Sequence, residues 1–188
     1  MTETTIEEKN VTFNKSQCER YDVHVQKPFR TWGIFTLDER GGLLNIVSDF
    51  GNYGYVWPYH GRESFKHFLI ELDMDYLFVK LLQCRESYIE INLEKTKKMW
   101  RDKVIYNRRH GELSRGGARD VWEEIEEFYS SEISDLIGYD CKISQVLYGG
   151  DYPETVSEVR ADLKNFYDIL WKEFMSILKE EVNNNAKS

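Results

Sequence analysis

Asp49, His60, His67, Glu71, Asp73 and Asp75 lie close in sequence and carry groups able to do acid–base or metal chemistry. Carboxylates beside imidazoles can ligate a divalent cation or act as an acid and base pair, the chemistry of a metal-dependent hydrolase. Their spacing matches neither H-E-x-x-H nor a calcium-binding loop. Asp73 and Asp75 read more simply as helix-start residues, where the helix dipole favours negative charge. No metal ligand and no cofactor are assigned. There is no G-x-S-x-G, and no Ser or Cys sits in a nucleophile context. Cys18, Cys84 and Cys141 are too few and too scattered for a disulfide framework or a zinc knuckle. The expectation is a protein that is not an enzyme.

The charge pattern offers binding chemistry instead. From residue 95 to 119 there are nine Lys or Arg against two acids, Asp102 and Glu112; from 120 to 140 there are eight acids and no Lys or Arg. The basic block interleaves Trp100 and Tyr106 with Lys95, Lys97, Lys98, Arg101, Arg108 and Arg109, and Arg115 and Arg119 follow in a glycine-flanked run. Cations with stacking aromatics suit single-stranded nucleic acid, and free N–H groups ahead of a helix suit phosphate. A solvated helix face and a flexible glycine hinge are the ordinary readings. The acidic block, Asp120, Glu123, Glu124, Glu126, Glu127, Glu132 and Asp135, could imitate a phosphate backbone and occupy a basic groove on another protein. An acidic surface helix without such a role is its ordinary reading.

The elements that must position these groups follow from periodicity. Tyr21, Val23 and Val25 alternate with polar residues as a half-buried strand does. Trp32–Leu37 and Leu43–Ser48 read as further strands joined by a turn at residues 39–42, and Tyr53, Tyr55 and Trp57 share one face of a fourth. Gly54 is expected to admit a close neighbour. Ser64 reads as the N-cap of a helix burying Phe65, Phe68, Leu69 and Leu72. Asp73 restarts it with Tyr76, Leu77 and Leu81 on the buried face. The two charge blocks predict antiparallel helices, the first anchored by Leu93, Trp100 and Val104, the second by Val121, Trp122, Ile125, Phe128 and Tyr129. Residues 143–148 read as strand or helical turn. Thr155 and Glu158 form a capping-box pattern ahead of a helix burying Val159, Leu163, Phe166, Leu170, Phe174 and Ile177. The fold class is therefore α+β, a small antiparallel sheet of three or four strands over about residues 21–57 packed by about five helices. One domain over 1–188 is expected, with 1–19 and 183–188 loosely ordered.

At 188 residues, 41% hydrophobic and 31% charged, the chain can bury a sizeable core. A net charge of −8 repels nucleic acid overall and suits partners with basic grooves. Aromatic content of 14% fits an aromatic core or a binding surface, and leaves room for a homodimer face. No apolar run approaches membrane length and no leader pattern opens the chain, so a cytoplasmic protein without a membrane partner is expected.

Ser48-Asp-Phe-Gly-Asn-Tyr53, Tyr55, Trp57, Phe65, Phe68-Leu69, Asp73-Met-Asp-Tyr-Leu77 and Lys80-Leu81, spread over roughly 50 residues, resemble small uncharacterised proteins of tailed phages and prophages. That resemblance carries no catalytic residues across. It implies an accessory gene product working in a bacterial host cytoplasm. Such products often inhibit host defence, as anti-CRISPR proteins do, by stoichiometric binding to a host protein or nucleoprotein complex.

Overall fold

The computed structural model describes residues 4–6, 11–83, 88–129 and 141–185. They belong to two compact units, one comprising Met1–Tyr88 with Ala161–Ser188, the other Ile89–Arg160. As expected, the fold is α+β.

The first unit is built on an antiparallel meander of β3 (Glu19–Val25), β4 (Thr31–Asp38), β5 (Leu43–Ser48) and β6 (Gly51–Val56), preceded by a separate pair, β1 (Thr4–Ile6) with β2 (Val11–Phe13). Register places Tyr21, Phe35, Ile46 and Tyr53 in one row across all four strands. Alternation then puts Phe35, Leu37, Leu44 and Ile46, all fully buried, on the same face.

Two tight turns fix that register. At the first, Asp38 Oδ1 accepts from the backbone N–H of Arg40 and Gly41, both at 3.1 Å, and Gly42 adopts φ +62°. Its carbonyl accepts from Trp57 N at 2.8 Å, and a Cβ there would stand 2.1 Å from the Trp57 carbonyl oxygen. At the second turn Ser48 Oγ accepts from Phe50 N at 3.2 Å and donates to the Gly51 carbonyl at 2.9 Å.

Helices cover the aromatic face. Ser64 caps α1 (Phe65–Ile70), its Oγ accepting from His67 N at 3.2 Å, and Asp73 caps α2 (Met74–Leu82), accepting from Tyr76 N at 2.7 Å. Such caps stabilise by about 1 kcal/mol each. Leu77, Phe78 and Leu81 are buried, but Tyr76 is 39% exposed, contrary to expectation. Its ring meets Phe68 edge-on, with the Lys80 ammonium 5.4 Å away.

The C-terminal cover runs from α5 (Ala161–Asn165) through a π turn (Phe166–Trp171) into the helix Lys172–Asn185 (α6). Phe174 stacks on Phe35 with centroids 3.9 Å apart. Leu170 presses so closely on β4 that a Cβ on Gly33 would lie 2.6 Å from its Cδ2. The close approach expected at Gly54 is therefore found at Gly33; Gly54 is exposed and faces Asn45. A π turn inserts one residue per turn, which moves the buried stripe on by one position. Leu178 is fully buried while Ile177 is 36% exposed, so Leu178 takes the place expected for Ile177.

The polar edge of this unit is tied by Lys66. Its ammonium lies 2.6 Å from Glu19 and 2.9 Å from Glu181, and the Tyr21 hydroxyl lies within hydrogen-bonding distance of both carboxylates, at 2.5 and 2.8 Å. Burial works against the Lys66 charge, yet these partners hold its pKa above the ordinary lysine value.

In the second unit β7 (Ile89–Ile91) pairs antiparallel with β8 (Ser157–Val159), Ile89 opposite Val159. The expected capping box is thus absent. Residues 157–159 are strand, and Glu158 accepts from Asn92 Nδ2 and Lys95 Nζ, each at 2.5 Å. Two helices follow β7: α3 (Leu93–Arg109), capped by Asn92, and α4 (Arg115–Glu127), capped by Ser114. Gly116 and Gly117, expected as a hinge, form the first turn of α4. Trp100, Val104, Val121 and Ile125 make the core with Cys141, Ile143 and Leu147, the last two on a π turn at Ile143–Leu147. The buried Trp100 ring satisfies its N–H on the Glu154 carbonyl at 2.8 Å.

Candidate functional site

The antiparallel α3–α4 pair sorts the predicted basic residues into two groups. Lys95, Lys97 and Arg101 are engaged within the unit. Lys95 pairs with Glu158. Lys97, 6% exposed, donates to the Glu126 carbonyl at 3.0 Å and lies 5.5 Å from the Tyr129 ring centroid. Its charge thereby sits at the negative end of the α4 dipole. Arg101 grips Glu126 through two bonds, Nε to Oε1 at 2.8 Å and Nη2 to Oε2 at 3.0 Å. This is the facing of opposite charges expected from the two blocks. Lys98 is exposed and stands apart.

The second group converges. Arg108 and Arg109 at the end of α3, with Arg115 and Arg119 at the start of α4, line one groove of about 400 Å³ with Val104, Ile105, Ala118 and Trp122. The helical repeat explains the arrangement. Residues 104, 105 and 108 share a face of α3, and 115, 118, 119 and 122 follow i, i+3, i+4, i+7 on α4. The chain reverses between Arg109 and Arg115, so the two arginine-bearing stripes meet at the bend. All four arginines are exposed, and among the described residues none forms an ion pair with a carboxylate. Trp122 is half-buried and packs on the unit's core. Guanidinium forks bordering an apolar floor can hold phosphate or carboxylate oxygens at the rim and a flat apolar group beneath.

Sequence reading identified the four arginines but not the floor. Ile105, Ala118 and Trp122 lie one helical turn or less from the arginines on the facing stripes, and that spacing was the available signal. Trp122, expected as an anchor of the apolar face, packs on the core and also lines the groove.

The acidic residues are also divided. Asp120, Glu123 and Glu127 form an exposed i, i+3, i+7 stripe opposite the buried Val121 and Ile125. Glu126 is taken by Arg101, and Glu124 Oε2 accepts from Lys142 N at 3.0 Å. Burial, with the Glu124 carboxylate adding to it, pushes the Cys141 thiol up in pKa. Tyr129 is 83% exposed. Glu132, Asp135 and Cys84 lie outside the described residues.

The central carboxylates and histidines are placed apart or given local tasks. Asp49 accepts from Trp32 N at 3.2 Å, Asp73 caps α2, and His67 Nδ1 meets Ser64 Oγ at 2.8 Å. His60, Glu71 and Asp73 do share the lining of one shallow groove, where Glu71 is held by Arg62 at 2.6 Å; Asp49, His67 and Asp75 are not in it. Among the described residues no three His, Cys, Asp or Glu side chains are placed to hold a metal ion, and no helix is long and apolar enough to cross a membrane.

An α+β architecture carrying an arginine groove on a helical unit is, by its sequence, a phage protein: a phage family model matches residues 9–180, a span taking in the meander, the groove and most of the C-terminal helix. The chain belongs to that family, Phage_phiTE_072. No curated protein and no solved structure matches it.

Proposed function

We propose that this phage-family protein is a binding protein, not an enzyme, and that it engages nucleic acid through the arginine groove between α3 and α4. The observation that carries this reading is the gathering of Arg108, Arg109, Arg115 and Arg119 with no carboxylate partner among the described residues, in a molecule whose net charge is −8. Like charges so close repel one another, and an anionic ligand relieves that repulsion. The surrounding negative charge disfavours phosphate elsewhere and confines it to the groove. As an accessory protein in an infected cell, it would act on host nucleic acid or on the complexes that handle it.

A second reading is favoured by the exposed stripe of Asp120, Glu123 and Glu127. These carboxylates could imitate nucleic acid and block a host defence complex, in the manner of an anti-CRISPR protein. One set of measurements separates the two. Fluorescence titration with nucleic acid should show affinity falling with salt at a logarithmic slope of about −3, the value for four phosphate contacts on a single strand. Arg115→Glu with Arg119→Glu should abolish that binding, whereas Asp120→Lys, Glu123→Lys and Glu127→Lys together should leave it intact or strengthen it. No binding by the native chain at low salt overturns the nucleic-acid reading. If the acidic triple variant instead loses association with a host complex that the arginine variant retains, the acidic stripe is the contact surface.

A further inference from the structure

Resting on the nucleic-acid reading, we infer that the groove takes an unpaired nucleotide of a single strand, its base on the apolar floor and the neighbouring phosphates on the four guanidinium groups. The arginines border an open groove whose apolar floor is Val104, Ile105, Ala118 and Trp122. A duplex offers phosphates on a convex surface and keeps its bases stacked inside. It could touch the rim but would leave the floor in water.

An unpaired base is planar, apolar on its faces, and tethered to phosphates on both sides, which is the combination this lining complements. The volume, about 400 Å³, lies in the range of sites for small organic groups. Trp122 is held by its packing on the core, so little side-chain freedom is lost when a base settles against it. Guanidinium planes beside it can stack on the same base or bridge to phosphate.

The test uses the full chain and fluorescence anisotropy with four labelled probes of about 12 nucleotides, a length within the range one binding module covers. They are a DNA strand, the RNA of the same sequence, the DNA duplex, and an abasic strand with the same number of phosphates. The single strand is expected to bind about tenfold or more tighter than the duplex and the abasic strand, the scale of one stacked base. Trp122→Leu should reduce single-strand affinity to the abasic level without changing the salt slope, because the phosphate contacts remain. Ile105→Ser, a neutral change at a partly exposed floor position, should do the same if Trp122→Leu disturbs the fold. Equal binding of all probes would overturn the inference while leaving the nucleic-acid reading standing. Failure of every probe to bind would overturn both. Binding of either the DNA or the RNA strand with the expected margin upholds the inference and names the strand.

Discussion

A single missing side chain decides the geometry of the first turn. Gly42 combines a left-handed backbone with a Trp57 carbonyl oxygen standing where a Cβ would go. That carbonyl belongs to backbone tied into the sheet by Trp57 N–H, so it has little freedom to withdraw. Gly42→Ala should therefore destabilise the protein by about 2 kcal/mol or more, the sum of a positive-φ cost and a backbone clash. Urea unfolding followed by tryptophan fluorescence would check this; a midpoint unchanged from the native protein would refute it. By contrast, Gly61 and Gly111 also have positive φ but meet nothing within 4 Å, and substitution there should cost only the conformational part.

Among the elements, the C-terminal helix shows where sequence reading succeeds and where it stops. Leu163, Phe166, Leu170 and Phe174 were legible because apolar residues at helical spacing have one physical meaning, a buried stripe. The π turn at Phe166–Trp171 was not, because it leaves the composition unchanged and alters only the phase of the helix. Leu178→Ala should cost about 2–5 kcal/mol as a cavity in a packed core, whereas Ile177→Ser should cost well under half of that. Thermal unfolding of the two variants measures the difference, and equal losses would contradict the shifted register. The four strands of the meander, their turns and the Ser64 and Asp73 caps were readable because alternation, glycine and capping chemistry are local. Thr155 and Glu158 misled because a capping box and a strand edge use the same residues, and only the pairing of Glu158 with Lys95 and Asn92, some 60 residues earlier, tells them apart. The groove was half legible for a related reason: charge is visible in a sequence, but the floor exists only where two helices meet.

For the whole molecule, the connection between units matters most. The chain enters the second unit on β7 and leaves it on β8, and these strands are hydrogen-bonded neighbours. Paired strands bring the two ends within about 5 Å, so the 89–160 segment closes on itself at its base. Replacing it by a short Gly-Ser linker should leave the first unit folded, because that unit's meander and its covering helices lie wholly outside the removed segment. A cooperative thermal transition, with the Tyr21, Phe35 and Phe174 aromatic contacts reported by near-ultraviolet circular dichroism, would support this. A molten, non-cooperative product would count against it.

The same interruption sets a timetable on the ribosome. The β3–β6 meander is synthesised early, but Phe166, Leu170 and Phe174, which complete its cover, are encoded after the inserted unit. At bacterial elongation rates of about 5–20 residues per second, the stretch from Val56 to Phe174 keeps the sheet's aromatic face waiting roughly 6–24 s for its last helix. During that interval α1 and α2 are its only folded shelter from its own chain among the described elements, and the second unit can finish folding before the first. The order of folding therefore inverts the order of synthesis: the part begun first is the part closed last, and its window of exposure lengthens with every residue inserted between Tyr88 and Ala161.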